Sequence, residues 1–377
     1  MLRRFLFALL LLPFCPLAAS ADAPRPPQVI GKSWLLADLS SGQVLAEEKA
    51  DERFEPASLT KLMTAYLVFS ALKDKRLAID AQVPVSEKAW KAPGSRMFIE
   101  PRKPVSVDEL LRGMIVQSGN DACVALAEAV SGSEEAFAQL MNREAQRLGM
   151  KNSRFTNASG LPDPQHYSTA RDLHLVARAL IEEFPEQYAQ YYSMKEFRYN
   201  NITQANRNRL LWLDPSVDGL KTGFTEAAGY CLVASSKRGP RRLVSVLLGS
   251  TSESTRAQES QRLLNWGFQF YDSVKLYAKD QEVKTIEVWK GAAPKVRAGF
   301  RSDMVISVPK GQADKLKAEL LSQAPLVAPV VAGQRVGMLR VALDGRAFGE
   351  YPVVALEAVP AAGFFGRAWD TLRLWIK

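Results

Sequence analysis

The segment PASLTKLMTA, residues 56–65, places Ser58 three residues before Lys61. A serine hydroxyl is a weak nucleophile until a neighbouring base accepts its proton. Residues three apart share a helix face, and Pro56 suits a helix start, so both side chains would lie near the positive end of the helix dipole. Burial or a nearby cation lowers the pKa of a lysine, and a neutral Lys61 could then act as a base toward Ser58. The S-x-x-K spacing alone is a weak signal, because it also occurs in ordinary helices.

Two further polar motifs follow at wide spacing along the chain. Ser118-Gly119-Asn120 falls between two predicted helices, where a tight turn could direct a hydroxyl and an amide into a cleft. The triplet 221–223, Lys-Thr-Gly, opens a predicted strand, and a strand edge can pair with an extended peptide. Taken singly, each motif also fits an ordinary helix-helix turn or a solvated lysine at a strand start.

The segments that must position these motifs predict helices grouped with an antiparallel sheet. Residues 34–39 and 44–45 flank a turn and predict a hairpin. Apolar residues at helical spacing predict one apolar face on the helix that carries Lys61: Leu59, Leu62, Met63, Tyr66 and Phe69. Further helices are predicted over 106–116 (with a capping box), 121–130, 134–148 and 170–182, and paired strands over 230–235 and 243–248. This grouping indicates an α+β fold.

The sequence pattern becomes mostly strand-like after Phe270. Short strand-like runs at 282–289, 304–308, 336–341 and 353–357 are separated by Gly, Pro and Asp-Gly turns. We therefore expect a catalytic domain over 22–272 and a small β-rich domain over 273–360. The tail, 361–377, predicts an amphipathic helix with aromatic and leucine residues on one side and basic residues opposite, typical of a helix lying in a membrane interface. A terminal helix docked on the protein is the alternative.

The first residues predict export. Arg3 and Arg4 precede an apolar run over 5–12, and an Ala-Ser-Ala triplet ends at Ala21, which together indicate a signal peptide over 1–21. Export removes Arg3 and Arg4 and no acidic residue, so the formal net charge falls from +9 to +7. This surplus fits either solubility or contact with an anionic lipid or polymer, and an exported chain is a poor partner for nucleic acid. Cys123 and Cys231 would remain, and we expect both to be buried and unpaired.

Taken in order, S-x-x-K, S-x-N and K-T-G are characteristic of penicillin-binding proteins and serine β-lactamases. The Ser-Gly-Asn form resembles the low-molecular-mass D-alanyl-D-alanine carboxypeptidases, the group of penicillin-binding proteins 5 and 6. The segments GLPDPQHYSTARDL, NRNRLLW, VDGLKTGFTEAAGYCLVAS and LLNWGFQFYD are similar to that family, as are the β-rich region and the tail. The resemblance covers essentially the whole mature chain. It implies a β-lactamase/transpeptidase-like catalytic fold and no cofactor or metal.

The resemblance also implies a role for each site residue. Ser58 would attack the carbonyl between two D-alanines, and Lys61 would accept its proton. Ser118 and Lys221 would pass a proton to the leaving amine, while Asn120 would bind the substrate amide. The remaining residues implied to bind substrate are Thr222 and Arg256 at its carboxylate, and Gly223 and Phe224, with the Ser58 and Phe224 N–H groups forming the oxyanion hole. Some relatives carry His at the positions of Phe224 and Ser159, so imidazole effects there would be lost.

The implied partners are peptidoglycan pentapeptides, β-lactams that acylate Ser58, and the periplasmic face of the inner membrane. A β-lactamase is the second hypothesis, and Glu196 and Asn200 have an E-x-x-x-N spacing that we interpret as chance on a strand. A wall-binding protein with an inert fold is the third. The chain has two histidines, His166 and His174, both expected to be structural. It has no G-x-S-x-G motif and no zinc-ligand spacing.

Overall fold

The computed structural model describes residues 25–322, 325–364, 367 and 369–371. The predicted signal peptide and most of the predicted tail helix lie outside these residues.

The described residues form helices and strands in the following positions. The helices are α1 (Lys61–Lys73), α2 (Glu87–Trp90), α3 (Val107–Val116), α4 (Asn120–Ser131), α5 (Glu134–Arg147), α6 (Ala170–Glu183), α7 (Pro185–Tyr191), α8 (Leu210–Leu213) and α9 (Glu253–Phe270), with 3₁₀ turns at Ala57–Thr60 and Ala313–Lys315. The strands of the first part are β1 (Ser33–Asp38), β2 (Gln43–Glu48), β3 (Gln82–Val83), β4 (Val105–Ser106), β5 (Glu196–Tyr199), β6 (Ile202–Ala205), β7 (Val217–Thr225), β8 (Gly229–Arg238) and β9 (Arg241–Ser250). Those of the second part are β10 (Tyr271–Tyr277), β11 (Glu282–Trp289), β12 (Lys295–Gly299), β13 (Met304–Pro309), β14 (Leu316–Ser322), β15 (Leu326–Val327), β16 (Arg335–Leu343) and β17 (Arg346–Ala355).

The first part is built around a five-stranded antiparallel sheet in the order β2-β1-β9-β8-β7. Alternate residues of its strands face opposite layers, because side chains along a strand alternate between the two faces. Leu35, Val244 and Val246 pack into the core formed with α1 and α3–α7, whereas Leu36 and Leu247 pack against α9. The α+β expectation is confirmed, and β7 is left as an edge strand beside the cleft.

Helix α1 differs from its sequence-based prediction. Every residue from Lys61 to Phe69 is buried, so the helix is enclosed on all sides rather than along one apolar face. Contacts with α3, α4, α5 and α6 account for this burial. The first turn of α1, which carries Lys61, is therefore held rigidly, because a fully packed interior leaves little room for displacement. The capping box at Ser106 and Glu109 is confirmed at the start of α3.

The second part has its own hydrophobic core, formed mainly by strands in the order β14-β16-β17-β12-β11-β15 and by the pair β10–β13. A polar cluster joins it to the first part. The buried Asp38 carboxylate accepts hydrogen bonds from Ser273 Oγ (2.7 Å) and Ser307 Oγ (2.8 Å), and pairs with Arg241 Nε at 2.7 Å. The position of the second part is thus fixed by specific bonds to the end of β1.

At the end of the described chain, Phe364 and Trp369 are exposed, and Asp370 accepts a hydrogen bond from the Lys290 backbone N–H at 2.7 Å. Among the described residues, no helix has the length and apolar character needed to cross a bilayer.

Candidate active site

The candidate nucleophile, Ser58, lies in a strained turn at the start of the buried helix. Ser58 belongs to the 3₁₀ turn 57–60, which Pro56 precedes and Lys61 continues into α1. Ala57 has a φ of +47°, which is unfavourable for a residue with a Cβ. Two glycines allow the chain to pack closely around this turn. A Cβ at Gly160 would lie 1.8 Å from the Ala57 carbonyl oxygen, and one at Gly223 would lie 3.0 Å from the Pro56 oxygen.

Lys61 makes the contact with Ser58 that its spacing predicts. Its Nζ lies 2.9 Å from Ser58 Oγ, 2.7 Å from Asn120 Oδ1 and 2.7 Å from the Ser159 carbonyl oxygen. The side chain is only 1% exposed. Burial is the main cause that lowers the pKa of Lys61 below the usual lysine value, opposed by the nearby Asp121 carboxylate.

The three oxygens around Lys61 define what a neutral amine would do there. A neutral lysine has two N–H donors and one lone pair. The carbonyl of Ser159 can only accept, and Asn120 Oδ1 is assigned as an acceptor because Asn120 Nδ2 donates to the Pro93 carbonyl at 2.6 Å. The two N–H groups therefore satisfy these oxygens, and the lone pair is left for Ser58. Of the three partners, only the hydroxyl has a proton to give, so the geometry is that of a base and its nucleophile.

The Ser118-Gly119-Asn120 turn joins α3 to α4, as predicted. Ser118 has a φ of +69°, and its buried Oγ has no hydrogen-bond partner among the described residues. Such an orphaned hydroxyl aimed at a cleft is costly unless a ligand satisfies it. The adjacent Asp121 carboxylate accepts bonds from the backbone N–H groups of Met97 (2.9 Å), Phe98 (2.8 Å) and Ile99 (3.3 Å). This fixes the loop that forms one rim of the cleft.

Lys221 lies inside the strand that its motif was predicted to open, and it is buried. It lies in the middle of β7, which begins at Val217, and it is 3% exposed. Its Nζ donates to the Thr222 carbonyl at 3.0 Å. Burial, with the nearby Lys61 as the next cause, holds the pKa of Lys221 well below its usual value. The solvated-lysine interpretation is therefore wrong, and the site holds two buried lysines.

These elements enclose a cleft of about 540 Å³. Seven of the nine predicted site residues line it: Ser58, Ser118, Asn120, Thr222, Gly223, Phe224 and Arg256. Lys61 and Lys221 are buried in its wall. The Arg256 guanidinium donates to the Gly223 carbonyl at 3.4 Å and pairs with Glu253 at 3.1 Å. Burial lowers the pKa of Arg256, yet an arginine stays charged. Among the described residues that line the cleft, Arg207 and Arg256 outnumber the one carboxylate, that of Glu253, so this end of the cleft is net positive and favours an anion.

The histidines and cysteines among the described residues are buried and do not line the cleft. His166 joins Thr60 Oγ1 (2.8 Å) to the Thr156 backbone N–H (3.2 Å), and burial lowers its pKa to about 4. His174 is buried on α6, and burial likewise lowers its pKa to about 4. Cys123 and Cys231 are buried and unpaired, as expected. No group of three or more His, Cys, Asp or Glu residues in the described parts of the chain could hold a metal ion.

Glu196 and Asn200, the pair with the E-x-x-x-N spacing, lie away from the cleft that Ser58 lines. Glu196 is exposed on β5, and Asn200 donates to Glu100 at 2.6 Å. Neither residue belongs to the lining of the cleft. Glu196 therefore lies outside the cleft, so the β-lactamase motif is not assembled by this pair.

Three contributors were not identified as site residues in the sequence. Ser159 acts through its backbone carbonyl, which carries no residue-type signal. Asp121 binds three consecutive N–H groups, and only its place after Asn120 hinted at a role. Arg207 lines the cleft near Arg256, and its position within the NRNRLLW segment was the available signal.

A serine hydroxyl in contact with a buried lysine, a second serine on a turn and a lysine-bearing edge strand are the features of the serine acyl-transfer enzymes to which penicillin-binding proteins belong. Residues 20–252 match the family described as D-alanyl-D-alanine carboxypeptidase, and residues 271–361 match the C-terminal domain of penicillin-binding protein 5. The chain belongs to this carboxypeptidase family.

Curated relatives and solved structures agree with this assignment. The chain is 44% identical to the D-alanyl-D-alanine carboxypeptidase DacC of Escherichia coli over 95% of this chain and 91% of that protein. It is 35% identical to DacF of Bacillus subtilis over 100% of this chain and 99% of that protein. Penicillin-binding protein 5 of Haemophilus influenzae has a TM-score of 0.85 at 40% identity, covering 89% of this chain and 99% of the solved chain. The protein is thus a penicillin-binding D-alanyl-D-alanine carboxypeptidase that acts in peptidoglycan maturation.

Proposed function

We propose that Ser58 removes the terminal D-alanine of peptidoglycan pentapeptides through an acyl-enzyme. The observation that carries this proposal is the contact of Lys61 Nζ with Ser58 Oγ at 2.9 Å, with Asn120 Oδ1 and the Ser159 carbonyl oxygen each 2.7 Å from the same nitrogen. Ser58 Oγ attacks the carbonyl carbon of the penultimate residue while its proton moves to Lys61. The backbone N–H groups of Ser58 and Phe224 stabilise the oxyanion, a type of donor whose loss typically costs about 100- to 1000-fold in rate.

Collapse of the tetrahedral intermediate breaks the C–N bond, and the leaving amine of D-alanine gains a proton. Ser118 and Lys221 deliver this proton to the amine. In the net reaction, the proton that Ser58 gave up to Lys61 is the one gained by the leaving D-alanine. The orphaned Ser118 hydroxyl supports this role, because it lines the cleft with its hydrogen-bonding capacity unused. Water then attacks the ester carbon, which releases the shortened peptide and restores the Ser58 hydroxyl.

The substrate backbone pairs with the edge strand β7, which has a sheet neighbour on one side only. The remaining N–H of Asn120 donates to the substrate amide. Arg256 and Thr222 bind the terminal carboxylate, and the absence of a side chain at Gly223 lets the peptide approach the nucleophile turn. A β-lactam that mimics this peptide acylates Ser58 in the same way and blocks it.

The test is release of D-alanine from diacetyl-L-Lys-D-Ala-D-Ala by the wild type and by Ser58→Ala, with intact mass measured after exposure to benzylpenicillin. We expect release and a stable adduct with the wild type alone. Rapid turnover of penicillin without D-alanine release would instead indicate a β-lactamase. Absence of both activities would leave a wall-binding protein with an inert fold.

We also propose that residues 1–21 are removed on export and that 22–272 and 273–360 are the catalytic and β-rich domains. Residues 361–377 attach the protein to the periplasmic face of the inner membrane. The exposed Phe364 and Trp369 support this attachment, since aromatic side chains favour the membrane interface. Deletion of residues 363–377 should abolish binding to anionic vesicles and leave D-alanine release intact. Vesicle binding that persists after the deletion would contradict the anchor.

A further inference from the structure

Two aromatic side chains form an exposed surface inside the cleft, which we name the aromatic shelf: Phe224 and Tyr230. They are cross-strand partners on β7 and β8, with ring centroids 4.5 Å apart and ring planes inclined by 38°. Phe224 is 48% exposed although both residues line the cleft. An aromatic ring held by a neighbour yet open to a cleft offers apolar area that a ligand can cover at little entropic cost.

The shelf is continuous with the cationic end of the cleft. The Arg256 guanidinium carbon lies 5.6 Å from the Tyr230 ring centroid, and Arg256 also donates to the carbonyl of Gly223, the residue before Phe224. An anion on Arg256 is therefore bound beside the aromatic rings. If that anion is the terminal carboxylate of a peptide, the side chain on the adjacent α-carbon lies within reach of the shelf.

The exposed ring of Phe224 offers more apolar area than the methyl group of a D-alanine can cover. A methyl group covers little of a ring that is half exposed. A larger apolar side chain would remove more aromatic surface from water, and apolar burial stabilises a complex in proportion to the area covered. Contact with the shelf would therefore favour a larger apolar side chain on the last residue.

We propose that the aromatic shelf determines specificity for the released residue and lets the enzyme accept C-terminal D-amino acids with apolar side chains larger than methyl. This inference rests on the proposed function, because it places the terminal carboxylate on Arg256. The amide bond that breaks and the fate of the proton are those given above, and only the side chain of the leaving D-amino acid changes.

The test compares diacetyl-L-Lys-D-Ala-D-Leu with diacetyl-L-Lys-D-Ala-D-Ala, using the ratio of their kcat/KM values. We expect Phe224→Ala to lower this ratio by about tenfold, in the range that one apolar contact in a binding pocket supplies. Phe224→Leu should retain most of the ratio, because it keeps an apolar side chain. Trp212→Ala is the matched control, since Trp212 is 47% exposed and lies outside the cleft lining, and it should leave the ratio unchanged.

The possible outcomes distinguish the proposal about the aromatic shelf from the proposed carboxypeptidase reaction. Covalent labelling by benzylpenicillin verifies that each variant folds with an active nucleophile, so a change in the ratio is not a folding defect. Release of D-alanine with an unchanged ratio in Phe224→Ala, or no cleavage of the D-Leu peptide by the wild type, would refute the shelf and leave the carboxypeptidase intact. Failure of the wild type to release D-alanine would refute both.

Discussion

Replacement of Asp38 by Asn should reveal how strongly the two parts of the chain are joined. The Asp38 carboxylate is fully buried and accepts hydrogen bonds from four segments of the chain. Its donors are the Ser40 backbone N–H at 2.9 Å, the Ser273 and Ser307 hydroxyls at 2.7 and 2.8 Å, and Arg241 Nε at 2.7 Å. The variant keeps the shape of the side chain but removes its charge and one acceptor oxygen.

The magnitude follows from what the substitution leaves behind. The Arg241 side chain is only 11% exposed, so its charge would remain buried without a counter-ion. Breaking a buried ion pair from one side typically costs about 3 to 5 kcal/mol, and the lost hydroxyl partners act in the same direction. We therefore expect the free energy of unfolding to fall by about 3 to 5 kcal/mol.

Urea denaturation followed by tryptophan fluorescence measures this loss, with Glu350→Gln as the control. Glu350 pairs with Arg340 at 3.0 Å on an exposed face, with side chains 52% and 50% exposed, and such pairs contribute about 1 kcal/mol or less. Asp38 pairs with Leu243 at one end of the sheet, whereas the cleft residue Tyr230 pairs with Ser250 at the other end. Penicillin labelling under native conditions should thus be unchanged. A loss of stability no larger than that of Glu350→Gln would refute the reasoning.

Three further predictions concern the cleft itself. Gly160→Ala would drive a Cβ into the turn that carries Ser58 and should slow penicillin acylation by about 100-fold or more. Gly149 has a similar φ of +81° but open space around it, so Gly149→Ala should leave the acylation rate unchanged. Asp121→Asn removes a negative charge that raises the pKa of Lys61, so the acid limb of the acylation-rate profile should shift to lower pH, as measured by stopped flow. Folding lowers the pKa of Lys221, so between the folded pKa and about 10.5 the unfolded state binds more protons than the folded state. The free energy of unfolding therefore rises with pH through that window. Lys221→Met should flatten this rise, as measured by urea titrations at several pH values.

Much of the fold was readable because its signals are local. The hairpin at β1 and β2, the capping box of α3 and the strands around 230–248 depend on turn residues, caps and period-two patterns within short windows. The buried environment of α1 was not readable, because apolar spacing at one face does not tell whether small and polar residues such as Ala65 and Thr64 are also covered by other helices. That information lies in elements far along the chain.

Some features of the site were likewise predictable from local sequence signals, and others were not. Residue types at fixed spacing located Ser58, Lys61 and the two later motifs, but the sequence could not show that Lys221 lies in mid-strand and is buried. Contacts made through the backbone, such as the Ser159 carbonyl on Lys61, have no residue-type signal. The shelf was equally hidden, since Phe224 and Tyr230 meet only through the register of β7 and β8.

The S-x-x-K pattern acquires chemistry only because three separate segments meet at one amine. The helix start supplies Ser58 and Lys61, the turn after α3 supplies Asn120, and the loop that contains Gly160 supplies the Ser159 carbonyl. An isolated helix would leave the lysine solvated and charged, with its lone pair blocked by a proton. Burial lowers the pKa of this amine, and the two acceptor oxygens would orient its neutral form with the lone pair toward the hydroxyl. The specificity of the motif therefore resides in the packing around it rather than in the spacing itself.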